Sequence, residues 1–97
     1  MAISIDNKYV NAYTNKGCAN IVLGKYKDAI NDFNKLISIS PDNANAYLNR
    51  GYANLSLDNF NAAIDDFSKC IAINPNDVKG YVNRAYAKYY SKLASDD

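Results

Sequence analysis

The 34 residues from Ala44 to Asp77 read ANAYLNRGYANLSLDNFNAAIDDFSKCIAINPND, and they decide the fold because the chain carries this pattern more than once. Displaced by 34 positions in either direction, Tyr47 falls on Tyr13 and Tyr81, Asn49 on Asn15 and Asn83, and Gly51 on Gly17 and Ala85. The second half of the unit keeps the same register: Ala63, Ile64, Asp66, Phe67, Lys69, Ile73 and Pro75 repeat Ala29, Ile30, Asp32, Phe33, Lys35, Ile39 and Pro41. Chance does not supply so many matches at one offset. A fixed period of this length marks stacked supersecondary units.

Each unit divides into two helical patterns. From Ala44 to Leu57, Tyr47, Gly51 and Leu55 recur on one face, and from Phe60 to Ile73 a second face gathers Phe60, Ala63, Ile64, Phe67, Cys70 and Ile71. Pro41 and Pro75 cannot continue a helix from within, and Asp42-Asn43 and Asn76-Asp77 just after them offer side-chain oxygens to cap the next one. Inside a unit, Leu23-Gly24-Lys25 and Leu57-Asp58-Asn59 supply Gly or a short polar residue for a tight link. Links this short join antiparallel neighbours. Val78 to Ala94 repeats the first helix of a unit, so about five helices are expected.

With these residues in place the chain resembles a tetratricopeptide repeat array. Its 34-residue helix-turn-helix unit carries an aromatic, a glycine, an alanine, a phenylalanine and a proline at fixed offsets. Here these are Tyr13, Gly17, Ala29, Phe33 and Pro41 in a first repeat (10–43) and Tyr47, Gly51, Ala63, Phe67 and Pro75 in a second (44–77). Residues 78–97 then form the first helix of a third repeat or a capping helix. The resemblance implies one all-α domain over 1–97, a right-handed superhelical stack of antiparallel helix pairs. Two departures stand out. The family's large apolar residue before the glycine is Lys16, Arg50 and Arg84, whose charges must reach water or pair with an Asp, and the tyrosine three positions after the glycine is Asn20 and Asn54.

The same register aligns Ile3 and Ile5 with Ile37 and Ile39, which reads as the last turn of a preceding helix and favours a piece of a longer array. At the other end, Tyr86, Tyr89, Tyr90 and Leu93 would lie partly exposed with no helix following, a surface suited to self-association through the C-terminal helix.

Composition narrows the function classes. A chain of 97 residues with 11 Lys+Arg against 10 Asp+Glu has a net charge of +1, so no long-range field favours nucleic acid or an anionic membrane. No window approaches the apolar length of a membrane span. Cys18 and Cys70 stand 52 positions apart and read as reduced thiols of a cytoplasmic protein. Histidine and glutamate are absent, removing the commonest general base and metal ligand. Asp65-Asp66 and Asp96-Asp97 do not form a paired acid and base, Cys18 has no base to activate it, and the four glycines form no phosphate loop. No enzyme activity, cofactor or metal is expected.

In tetratricopeptide arrays the first helices of successive units line a concave groove. By resemblance the wall here comprises Asn11, Thr14, Asn15, Cys18, Asn45, Leu48, Asn49, Tyr52, Lys79, Val82, Asn83 and Tyr86. Asn15, Asn49 and Asn83 recur once per unit, and an amide that both donates and accepts suits the backbone of an extended peptide, though it equally suits backbone between helices. Tyr52 and Tyr86 offer large surfaces with a polar tip to a partner's apolar or proline-containing side chains. One subgroup of the family grips the terminal carboxylate of chaperone tails with a five-residue clamp. Asn49 and Lys79 match it, but Thr14, Cys18 and Asn83 stand where a lysine, an asparagine and an arginine belong. Each lost charge-assisted contact is worth roughly 1.5 to 3 kcal/mol, which argues against that ligand. The leading expectation is therefore a scaffold or adaptor module that binds an extended peptide or partner protein in its groove. The alternatives are a self-associating segment that uses its end helices and a regulatory segment of a longer multidomain protein.

Overall fold

A computed structural model describes residues 7–95, so the expectations placed on Ile3, Ile5 and the Asp96-Asp97 pair lie outside the described residues. Five helices follow in order: α1 (Asn7–Val22), α2 (Tyr26–Ile39), α3 (Ala44–Ser56), α4 (Phe60–Ile73) and α5 (Val78–Ser95). No other regular element occurs among the described residues. Each helix packs on the next in the chain, α1 on α2 and α3 on α4 within a unit, and α2 on α3 and α4 on α5 between units.

The links are as tight as the sequence requires, and both use the same device. The amide of Lys25 reaches the Asn20 carbonyl at 2.7 Å and that of Gly24 the Ile21 carbonyl at 3.0 Å. Thirty-four residues on, Asn59 reaches Asn54 at 2.8 Å and Asp58 reaches Leu55 at 3.0 Å. This pair of bonds closes a helix when the residue after its end turns left-handed. Gly24 does so at φ 76° and Asp58, without the freedom of glycine, at φ 64°. Between units, Asn43 caps α3 by accepting from the Ala46 amide at 3.1 Å, and Asp77 accepts from the Lys79 amide at 2.9 Å.

Two apolar clusters form the core. One gathers Ala29, Phe33 and Leu36 of α2 with Ala46 and Ala53 of α3, and the other gathers Tyr47 and Leu48 of α3 with Ala63, Phe67 and Cys70 of α4 and Ala87 of α5. Helix α3 is thus two-faced, its alanines turned toward the first unit and its tyrosine toward its own partner. The glycines explain how closely a pair approaches. A Cβ on Gly17 would lie 2.6 Å from the Phe33 ring, and one on Gly51 would lie 2.6 Å from Phe67. Both rings are fully buried, so the phenylalanine of each second helix occupies the space its first helix leaves open.

A polar seam repeats beside this core and accounts for both departures from the family pattern. Asp66 is buried, and Arg50 donates to it through Nη2 at 2.7 Å and Nε at 3.1 Å and 3.2 Å, while Asn54 donates at 3.0 Å. In the first unit Asn20 donates to Asp32 at 2.7 Å and the Lys16 ammonium lies 3.8 Å away. The cation before the glycine and the asparagine after it hold one buried carboxylate between them. A buried charge requires such partners. Arg50 and Arg84 also reach back to the preceding unit, to Asn34 at 2.9 Å and Ser68 at 3.3 Å.

Candidate functional site

The first helices touch one another across the unit boundaries, α1 on α3 and α3 on α5, whereas α2 and α4 bring no Cα atoms within 8 Å. A stack whose first helices converge and whose second helices diverge curves inward on the side of the first helices. The candidate groove is that side.

Most of the residues assigned to the wall are accessible there. Asn11, Asn15, Asn45 and Lys79 are exposed, Tyr52, Val82 and Tyr86 keep 43%, 50% and 53% of their surface, and Thr14, Cys18, Asn49 and Asn83 are half-buried. Leu48 is a correction. It retains 8% of its surface and belongs to the second core cluster, in which Ala87 of α5 also lies, because α3 is covered on both sides. Its counterpart Val82 has no such cover.

The three asparagines do not stand in equivalent surroundings. Asn49 donates through Nδ2 to the Cys18 sulfur at 3.8 Å, a weak bond that ties α3 to α1 across the floor of the groove. Asn15 and Asn83 make no side-chain hydrogen bond among the described residues. Their amides are open to a ligand, whereas that of Asn49 partly holds the helices together. Thr14 is similarly committed, its hydroxyl donating to the Val10 carbonyl at 2.7 Å.

An aromatic tier continues from the groove along α5. Tyr86 and Tyr90 stack with ring centroids 5.9 Å apart, Tyr90 stacks on Phe60 at 6.3 Å, and Tyr89 meets Tyr90 edge-on at 5.3 Å. The i, i+4 spacing of Tyr86 and Tyr90 was legible in the sequence, but the contribution of Phe60 depends on how α4 crosses α5.

The two thiols differ. Cys18 is half-buried on the groove floor, and Cys70 is fully buried. Burial pushes the Cys70 thiol above its ordinary value of 9.0, and the neighbouring Asp77 carboxylate, which accepts its S–H at 3.8 Å, pushes it the same way. Cys70 is a protonated packing residue. Among the described residues no three His, Cys, Asp or Glu side chains converge as metal ligands would, and no helix is long and apolar enough to cross a membrane.

Comparison with known proteins matches this geometry to a family. Residues 44–77 match the model described as tetratricopeptide repeat, and residues 22–58 match one described as TPR repeat. Among solved structures the chain is similar to the TPR2AB domain of yeast Sti1 in complex with pHSP90, at 25% identity and a TM-score of 0.87 over 95% of this chain and 36% of that one. It is also similar to the TPR2B domain of yeast Sti1 in complex with pHsp70, at 26% identity and a TM-score of 0.86 over 92% and 71% of the two chains. A third is the first TPR of Spaghetti (RPAP3) bound to the HSP90 peptide SRMEEVD, at 27% identity and a TM-score of 0.88 over 95% and 73%. The chain therefore spans about a third of the first of these proteins and under three quarters of the others. No curated protein sequence matches it. The repeat register, the five-helix stack, the matching family models and the similar structures together establish that this chain belongs to the tetratricopeptide repeat family.

Proposed function

We propose that the chain is an adaptor module whose α1–α3–α5 groove holds an extended segment of a partner protein, read internally and not by its terminal carboxylate. The carrying observation is the exposed apolar-aromatic tier of Tyr52, Val82 and Tyr86 on consecutive first helices, beside the uncommitted amides of Asn15 and Asn83. Large amphipathic rings with few rotatable bonds are suited to such contacts. The amides suit the backbone of the bound segment and the tyrosines its apolar side chains. The repeats are taken as 10–43 and 44–77, and the setting as a cytoplasmic one without nucleic acid or membrane.

The similar structures carry chaperone peptides, and this groove shares only part of the required chemistry. Lys79 is exposed in its clamp position, but Asn49 is tied to Cys18, and Thr14, Cys18 and Asn83 replace two cations and an amide. What remains supports binding of neutral, apolar-rich sequence. A display selection of random 15-residue peptides, carried out on the chain and on Tyr52→Ala/Tyr86→Ala, tests this. Enrichment of apolar or proline-containing peptides that needs the two tyrosines and survives C-terminal amidation is the expected outcome. Ligands that require a free carboxylate, or that both proteins enrich equally, would overturn it.

A further inference from the structure

The tripeptide Asn54-Leu55-Ser56 has the form of an N-glycan acceptor, and no other Asn-X-Ser or Asn-X-Thr tripeptide occurs in the chain. Such acceptors belong on surface loops, because the transferred sugar is bulky and strongly hydrated. This one lies in the last turn of α3, and its asparagine is a member of the polar seam. In the first unit the same positions read Asn20-Ile21-Val22 and Asn20 still binds Asp32, so the seam uses the asparagine and not the hydroxyl two residues on.

The folded chain withholds this acceptor in two ways. Successive helical residues turn by about 100°, so Asn54 and Ser56 point to opposite sides of α3. Asn54 keeps 8% of its surface while Ser56 is exposed. A transferase that reads the amide and the hydroxyl together needs them on one extended segment. Both ends of the amide are also engaged: Nδ2 donates to Asp66 at 3.0 Å, and Oδ1 accepts from Asn59 Nδ2 at 3.4 Å.

Transfer would form a bond from Nδ2 to the anomeric carbon of a lipid-pyrophosphate-linked oligosaccharide and break that carbon's bond to the phosphate oxygen. The lipid pyrophosphate leaves, and one amide proton passes to the transferase. Only a chain in which α3 has not formed can present Asn54 for this step. Once it is modified, a side chain with almost no open surface has no room for a pyranose ring, so the ring displaces it from Asp66 and strands that buried carboxylate. We infer that N-glycosylation of Asn54 and the folding of this module exclude one another, so that the module assembles only in a compartment where no oligosaccharide is transferred to asparagine. This exclusion resides in the seam and holds whether or not the groove binds a peptide.

The test is translation of the chain into microsomes behind a cleavable signal peptide, which presents it to the transferase unfolded. Gel mobility before and after endoglycosidase reads the glycan, and trypsin resistance after release reads the fold. The chain should be modified and then cleaved at least about tenfold faster than unmodified Ser56→Ala, since proteolysis follows the open population. A competing acceptor tripeptide in the reaction should restore resistance without any substitution. Ser56→Ala/Val78→Thr, which moves the acceptor to the exposed Asn76 in the link before α5, should be modified and remain resistant. The purified folded chain, given solubilised transferase and the lipid-linked donor, should stay unmodified. Four results would overturn the inference: a modified parent as resistant as Ser56→Ala, a modified folded chain, a translated parent left unmodified while Asn76 is modified in the control, or an Asn76-modified control cleaved as fast as the parent.

Discussion

Replacing Arg50 by leucine removes the main partner of a carboxylate that is almost wholly buried. The guanidinium makes three contacts of 2.7, 3.1 and 3.2 Å to Asp66, whose side chain is 6% exposed, and only the Asn54 amide remains once it is gone. Breaking a fully buried pair from one side costs about 3 to 5 kcal/mol. Arg50 keeps 24% of its side-chain surface, so water already screens part of the interaction and the lower end applies, about 3 kcal/mol. For a domain of this size that corresponds to a melting temperature lower by about 12 to 24 °C. The double variant Arg50→Leu/Asp66→Leu should recover most of the loss, because an apolar pair of similar volume leaves no charge stranded. Lys16→Leu serves as the internal control. Its ammonium is 67% exposed and 3.8 Å from Asp32, so its removal should cost at most about 0.5 kcal/mol. Thermal and urea unfolding followed by circular dichroism measure all three. If Arg50→Leu melts with the parent, or the double variant melts no higher than the single one, the seam is not what holds Asp66.

Gly51→Ala should destabilise by about 1 to 3 kcal/mol despite alanine's better helix propensity, because its methyl overlaps the buried Phe67 ring. Ala85→Gly should lose only about 1 kcal/mol of propensity, and paired urea titrations compare them. Cys70 holds its proton to higher pH folded than the 9.0 of a free thiol, so above pH 9 the unfolded state binds fewer protons and stability should fall, with no effect from this group below that. Stability measured against pH for the chain and Cys70→Ala checks the sign, and a thiol reagent at neutral pH should label Cys18 well before Cys70. The SRMEEVD peptide should bind poorly, and Thr14→Lys/Cys18→Asn/Asn83→Arg should strengthen it by about a hundredfold or more, as titration calorimetry would show.

The helix pairs, the turns at Gly24 and Asp58, the caps and the roles of Gly17, Gly51, Phe33 and Phe67 were all legible in the sequence, because a 34-residue register repeats every local signal and makes each copy a check on the other. That register also exposed Lys16 and Arg50 as departures, and pairing with an Asp was the right physical demand. The asparagines of the seam were not legible. Asn20 and Asn54 appear in the sequence as tolerated substitutions, and their purpose emerges only when α2 and α4 carry Asp32 and Asp66 to them. Leu48 was misplaced for a related reason. Periodicity assigns a residue to one face of its own helix, but α3 is packed between two units, and burial there depends on how α5 crosses it. Asn15, Asn49 and Asn83 look alike in the sequence, and only the Cys18 contact separates the second from the others.

The most direct test of the groove account is an NMR titration of the isotopically labelled chain with a peptide selected on it. The account predicts amide shifts concentrated on the inner side of α1, α3 and α5, at Asn15, Tyr52, Asn83 and Tyr86, with α2 and the outer side of α4 unmoved. Shifts confined to α2 and α4, or shifts along the groove that persist in Tyr52→Ala/Tyr86→Ala, would contradict it.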